Sequence, residues 1–159
     1  MDNGEYLYLA HPFPTRKRMY EWKKKMEDRY AVKIRDPFYD LTRKDVEKID
    51  AGVKRARGQS KREAQILVDR DLTAIGGSKG VIAYIDGSQS VGTLMEMVYA
   101  FTIEGLPVYT VVEAIALHQN VDKHPWVTYH STEVFTGLKD FERWLKIKYK
   151  RLSPVNVGN

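Results

Sequence analysis

Hydrophobic positions along the chain alternate between short apolar runs of strand length and longer stretches in which apolar residues recur at helical spacing. "EYLYLA" (5–10) is an aromatic and aliphatic run bounded by His11-Pro12, which predicts a strand followed by a loop. "PTRKRMYEWKKKMEDRY" (14–30) carries Met19, Trp22 and Met26 among charged neighbours, the pattern of an amphipathic helix. "AVKIRDPFYD" (31–40) contains a second short strand that ends at Asp36-Pro37, because proline cannot continue a ladder. From Thr42 to Gly58 the chain is charged and compatible with helix. "SKREAQILVDRDLTAIGG" (60–77) is a stronger helix: Ser60 can cap it, Glu63 follows three residues later, and Gly76-Gly77 stops it. Ile66, Leu67, Leu72 and Ile75 form its inward stripe with Val68 flanking; Asp71 borders the stripe, while Asp69 and Arg70 lie further out.

Beyond this helix, "GVIAYI" (80–85) has the continuous apolar character of a buried strand. Loop 86–92 and an apolar helix through Glu104 follow, then a strand in "GLPVYTVV" (105–112). A fifth short strand is expected near 133–136, and "KDFERWLKIKYKR" (139–151) is a terminal amphipathic helix. Strands alternating with helices argue for a parallel sheet with crossovers on both faces. Such sheets bind ligands beyond the C-terminal strand ends, at the switch in strand order. The loops "AHPFP" and "DGSQSVG", after strands one and three, should therefore face one another. That gathers Tyr8, His11, Asp86, Ser88, Ser90 and Glu96 on one rim.

A chain of 159 residues fits a single domain over 1–159, large enough to bury roughly two-thirds of its unfolded surface. It has no cysteine, which excludes disulfides, thiolate metal sites and cysteine nucleophiles. The acidic N-terminus "MDNGEYLYLAHPF" is not a signal peptide, and no stretch approaches the ~20 apolar residues of a membrane span. A soluble cytoplasmic protein is expected. Formal net charge is +5, yet the basic clusters at 15–25, 54–62 and 146–151 fall on several elements. They read as solvated helix faces able to serve a small anion, rather than as one stripe for a nucleic-acid polymer.

Glu96 is the one carboxylate in "GSQSVGTLMEMVYAF" (87–101), where burying a charge costs several kcal/mol unless something holds it. It lies about one turn into its helix, where free amides favour an anion, and Gly92 leaves little bulk over that turn. It reads either as a functional carboxylate or as a helix-start glutamate paired at the surface. Asp71 reads either as a surface aspartate or as a partner of Glu96. Tyr8 shares a strand face with Tyr6, so it is a core residue or a hydroxyl that reaches a carboxylate. His11, His118, His124 and His130 show no metal spacing, no G-x-S-x-G elbow is present, and "IGGSKG" precedes a strand rather than following one. Neither metal nor cofactor is expected.

Taken in order, "YLYLAHPF", "DPFYD", "ILVDRDLTAI", "VIAYIDGSQSVGTLMEMVYA" and "GLPVYTV", with "LKDFERWL" more loosely, resemble the nucleoside 2-deoxyribosyltransferase family. That family includes hydrolases of nucleoside 5′-monophosphates. The resemblance implies a flavodoxin-like, doubly wound, five-stranded parallel sheet and cleavage of an N-glycosidic bond. It makes Glu96 the nucleophile that attacks C1′ and forms a covalent glycosyl-enzyme, Tyr8 the phenol that orients it, and Asp71 the acid that protonates the departing base. It further implies substrate contacts from His11, Phe13, Arg18, Asp40, Asp86, Ser88, Ser90 and Gly92. Ser131, beside His130, would complete the pocket of a neighbouring subunit in a homo-oligomer. The partners implied are a nucleoside or nucleotide and a free nucleobase. Where the nucleoside-specific members carry a carboxylate this chain has Ser90, and the monophosphate hydrolases resemble it in having serine there. A serine hydroxyl can donate to a 5′-phosphate that a carboxylate would repel, and Arg16 and Arg18 could supply charge. A non-catalytic nucleotide-binding module on the same frame is the alternative from another class.

Overall fold

The computed structural model describes residues 5–39, 60–88 and 90–152; Asp40 and the segment 42–58 read above as helix-compatible lie outside them. Five strands, β1 (Tyr6–Ala10), β2 (Lys33–Arg35), β3 (Val81–Ile85), β4 (Val108–Val112) and β5 (Glu133–Thr136), form one sheet in the order β2-β1-β3-β4-β5. Every pairing is parallel. The order reverses between β1 and β3, which makes the fold flavodoxin-like and doubly wound, with its switch point beyond those two strands. β3, "VIAYI", is buried along its whole length, as a strand covered on both faces must be.

Six helices are described: α1 (Arg16–Arg29), α2 (Lys61–Gly76), α3 (Val91–Thr102), α4 (Ala114–His118), α5 (Pro125–Tyr129) and α6 (Leu138–Lys148). Period-two alternation divides the strand residues between two cores. On one face Leu7, Leu9, Ile34, Ile82, Tyr84 and Val111 meet α1 through Met19, Trp22 and Met26, and α6 through Phe141 and Leu145. On the other, Tyr8, Ala10, Val81, Ala83, Val108 and Val112 meet Ala74 and Ile75 of α2, Met97 and Ala100 of α3, and Ala116 and Val127.

The helix caps follow the sequence. Ser60 and Glu63 close a capping box at the start of α2, and Ser90 caps α3 by accepting from the Thr93 amide. The stripe expected along α2 needs correction. Ile66 and Val68 are 61% and 53% exposed, and only Ala74 and Ile75 are buried. Helical spacing marks which side of α2 is apolar, not what covers that side. α4 and α5 have five residues each, too few to show a helical period in the sequence.

Phe141 has no exposed surface and packs against the rings of Trp22, Phe135 and Trp144 at 5.9, 5.0 and 5.3 Å. Phe141→Ala is expected to lower unfolding free energy by about 3–5 kcal/mol. Urea denaturation followed by circular dichroism checks it.

Candidate active site

Tyr8 stands in the middle of β1 and is wholly buried, with its ring on the face covered by α2 and α3. Its hydroxyl donates to Glu96 Oε1 across 2.7 Å. Sheet register sets Tyr8 beside Val81 of β3 on one side and Arg35 of β2 on the other. Tyr6, two residues earlier and on the same face, donates to the Ala74 carbonyl at 2.6 Å and so ties α2 to β1. A Cβ at Gly77 would come within 2.9 Å of the Tyr6 hydroxyl, so a larger residue there would press on this contact.

Glu96 keeps part of its side chain at the surface, but its carboxyl is desolvated and its pKa is pushed from 4.5 up to about 8. Burial is the main cause, and the Asp71 carboxylate adds to it. The Tyr8 hydrogen bond and the Arg70 charge oppose it. Burial also raises the Tyr8 phenol well above its ordinary value, so the hydroxyl stays protonated as a donor. Asp71, on α2, is raised by burial too, against hydrogen bonds and charge from Arg70 and the charge of Arg35. Arg70 Nε and Nη2 both bond Asp71 Oδ1, at 2.9 and 2.7 Å. Two carboxyls with raised proton affinity therefore share one desolvated seam, with a phenol on one and a guanidinium on the other. Such a pair can divide acid and nucleophilic roles.

The remaining residues proposed from sequence fall into distinct places. His11 is buried at the end of β1; its Nε2 lies 3.2 Å from Asp36 Oδ1 and its Nδ1 3.1 Å from the Pro12 carbonyl. Its ring meets Phe38 edge-on, as does that of Phe13, so the loops after β1 and β2 are joined by aromatic contacts. Arg16 lies over the Phe13 ring at 3.9 Å. Arg18 reaches across to Glu113 at the end of β4, at 3.3 Å. Asp86 accepts from the Ser88 amide and hydroxyl, which shapes the turn at Gly87, where φ is +96°. Ser90 shares a 2.6 Å hydrogen bond with the Thr93 hydroxyl, and a Cβ on Gly92 would meet nothing within 4 Å.

The structure thus brings Tyr8, Asp71 and Glu96 together, and it sets His11, Phe13, Asp86, Ser88, Ser90 and Gly92 on the loops and helix start at the C-terminal strand ends. Ser131 stands apart, after α5, where its hydroxyl bonds Thr110 Oγ1 and the Val127 carbonyl, both at 2.6 Å. Three further residues bear on the site. Arg70 was set aside as outlying, although its side chain is as covered as that of Asp71. Arg35 joins through strand register, and Asp36 through His11. The Arg-Asp adjacency in "DRDL" was the signal available for the first; register with Tyr8 cannot be read from local sequence. Among the described residues no cluster of three or more His, Asp or Glu could hold a metal ion, and no helix is long and apolar enough to cross a membrane.

The chain matches no protein-family model and no curated protein. The geometry therefore carries the functional reading.

A carboxyl that holds its proton more tightly when folded lowers stability as pH rises, here between 4.5 and about 8. Glu96→Gln removes that liability. Its melting temperature should equal that of the unsubstituted protein near pH 4 and exceed it increasingly toward pH 8, by a margin on the order of 1–3 kcal/mol in unfolding free energy. Calorimetric scans across this range decide it.

Proposed function

We propose that the protein cleaves the N-glycosidic bond of 2′-deoxynucleosides or their 5′-monophosphates and passes the sugar to another nucleobase or to water, as a nucleoside 2-deoxyribosyltransferase-like enzyme. The observation that carries this reading is the Tyr8–Glu96 hydrogen bond of 2.7 Å in a desolvated seam that also holds Asp71. It adds to the resemblance in "YLYLAHPF", "ILVDRDLTAI" and "VIAYIDGSQSVGTLMEMVYA".

The chemistry proceeds in two displacements. Glu96, ionised, attacks C1′; the C1′–N bond breaks, its electron pair stays on the base nitrogen, and the base takes the Asp71 proton. A second base or a water then attacks C1′, the ester to Glu96 breaks, and Asp71 recovers a proton from the incoming group. A carboxylate nucleophile replaces one difficult step by two easier ones. Tyr8 holds the attacking oxygen in place and remains neutral throughout, because its own ionisation is suppressed by burial. The productive form of the pair carries one proton, on Asp71, with Glu96 ionised. A site poised in this way needs a dry pocket, since water would restore both carboxyls to ordinary acidity.

Ser90 and the open space over Gly92 favour a phosphorylated substrate, because no carboxylate stands there to repel it. A strict 5′-monophosphate N-glycosidase is therefore the second reading. A non-catalytic nucleotide-binding module would gain nothing from a raised-pKa glutamate held by a phenol. The same resemblance implies a homo-oligomer with shared sites. In support, Met95 on α3 and Trp126 and Tyr129 on α5 are 63–69% exposed, an apolar surface suited to a neighbouring subunit.

The protein incubated with a panel of deoxynucleosides and deoxynucleotides, with and without free adenine, should release base or form an exchanged nucleoside visible by chromatography. Glu96→Ala should be inert in both reactions; normal turnover would sink the assignment. Tyr8→Phe should lose about 10–100-fold in kcat/KM, and Asp71→Asn about 10²–10⁴-fold. The profile of kcat/KM against pH should be a bell, falling above about 8 as the pair loses its last proton and falling in acid as the pair takes up a second.

A further inference from the structure

We propose that Arg70 is a positioning residue of this site: its guanidinium takes up one oxygen of Asp71 and leaves the other as the oxygen that carries the transferable proton. The inference rests on the reading of Asp71 as the acid and Glu96 as the nucleophile.

Neighbouring residues on a helix do not face one another, so a contact between positions 70 and 71 requires the long arginine side chain to fold back. It does so, and with an uncommon aim. Nε and Nη2 converge on Oδ1 instead of forking across both oxygens. Among the described residues Asp71 Oδ2 has no hydrogen-bond partner. Oδ1, which already accepts two N–H groups, is the poorer site for a hydrogen, and Oδ2 is the better one. Both side chains are about three-quarters covered, so the pair is only partly screened by solvent.

The groups that face this pair come from each element packed around it. Glu96 lies on α3, Tyr8 on β1, and Arg35 on β2 in register with Tyr8. Arg70 and Arg35 both favour ionised Asp71, and Arg70 also favours ionised Glu96. Arg70 thus has two separable effects. Its charge sets the pH range over which the two carboxyls hold one proton between them. Its two-pronged contact fixes the oxygen on which Asp71 presents that proton.

The test compares the unsubstituted protein with Arg70→Met and Arg70→Lys. Carboxyl titrations by carbon-13 NMR and pH profiles of kcat/KM are recorded for each. Arg70→Met should move both carboxyl midpoints and both limbs of the bell to higher pH, by about half a unit to one unit, which is about three- to tenfold in proton affinity. Arg70→Lys keeps the charge but cannot place two donors on one oxygen from a rigid fork. Its limbs should return toward the original pH while its kcat stays reduced. Because the Arg70 side chain reaches the surface, both variants should melt close to the parent, and the NMR titration itself reports whether the fold is intact. Midpoints and limbs that stay put in Arg70→Met would overturn the proposal, as would full kcat in Arg70→Lys. Failure of the underlying reading looks different: Glu96→Gln would then still release base, whatever the Arg70 variants do.

Discussion

The Tyr8 hydroxyl bonded to Glu96 joins a central strand to the helix that follows its neighbour, and the organisation of the site depends on that contact. Glu96 belongs to α3, whose buried Met97 and Ala100 press on the sheet. Its carboxyl is drawn out of water by the packing of that helix, and a buried acceptor left without a donor is costly. Tyr8 supplies the donor from within the sheet itself. The phenol could not do so from an edge strand or a loop, since either would leave it hydrated and mobile. β1 is central because the order β2-β1-β3-β4-β5 flanks it on both sides. Topology, burial and chemistry therefore meet at one hydrogen bond.

α2 leaves Ile66 and Val68 exposed, and it carries Arg70 and Asp71 to where α3 brings Glu96. Desolvation disfavours the charge on both carboxyls, and at Glu96 the Asp71 charge adds repulsion. Arg70 and Tyr8 relieve it unequally, one acting on Asp71 and the other on Glu96. Unequal relief is what a pair needs if its members are to take different roles, and on the proposed reading these roles are acid and nucleophile. The loops after β1 and β2, clasped through His11, Asp36, Phe13 and Phe38, form a separate wall at the strand ends.

Much of the fold was legible in the chain because its signals are local. The run "VIAYI" announces a strand covered on both faces, Ser60 with Glu63 announces a helix start, and Asp36-Pro37 ends β2. Tyr8, Asp71 and Glu96 were also within reach, through the resemblance and through the oddity of a carboxylate in an apolar helix. What misled was periodicity taken as burial. Ile66 obeys helical spacing, yet spacing says which side of a helix is apolar and not whether another element covers it. The short α4 and α5 gave no period to read, and Arg70 was discounted because a position on a helical wheel says nothing of where a long side chain bends.

By itself, the sequence determined the kinds of element, their order and caps, the parallel α/β class, and the presence of a phenol and two carboxylates on three of those elements. These follow from backbone preferences and hydrophobic spacing, which act over a few residues. The tertiary structure alone decided that the Tyr8 hydroxyl meets Glu96, that Arg70 turns onto Asp71 and that Arg35 stands in register with Tyr8. It also decided that Ser131 spends its hydroxyl on Thr110 and Val127 within its own chain. Each of these depends on distances between segments up to 88 residues apart. Only packing fixes such distances, and packing also sets the desolvation that raises the proton affinity of Glu96.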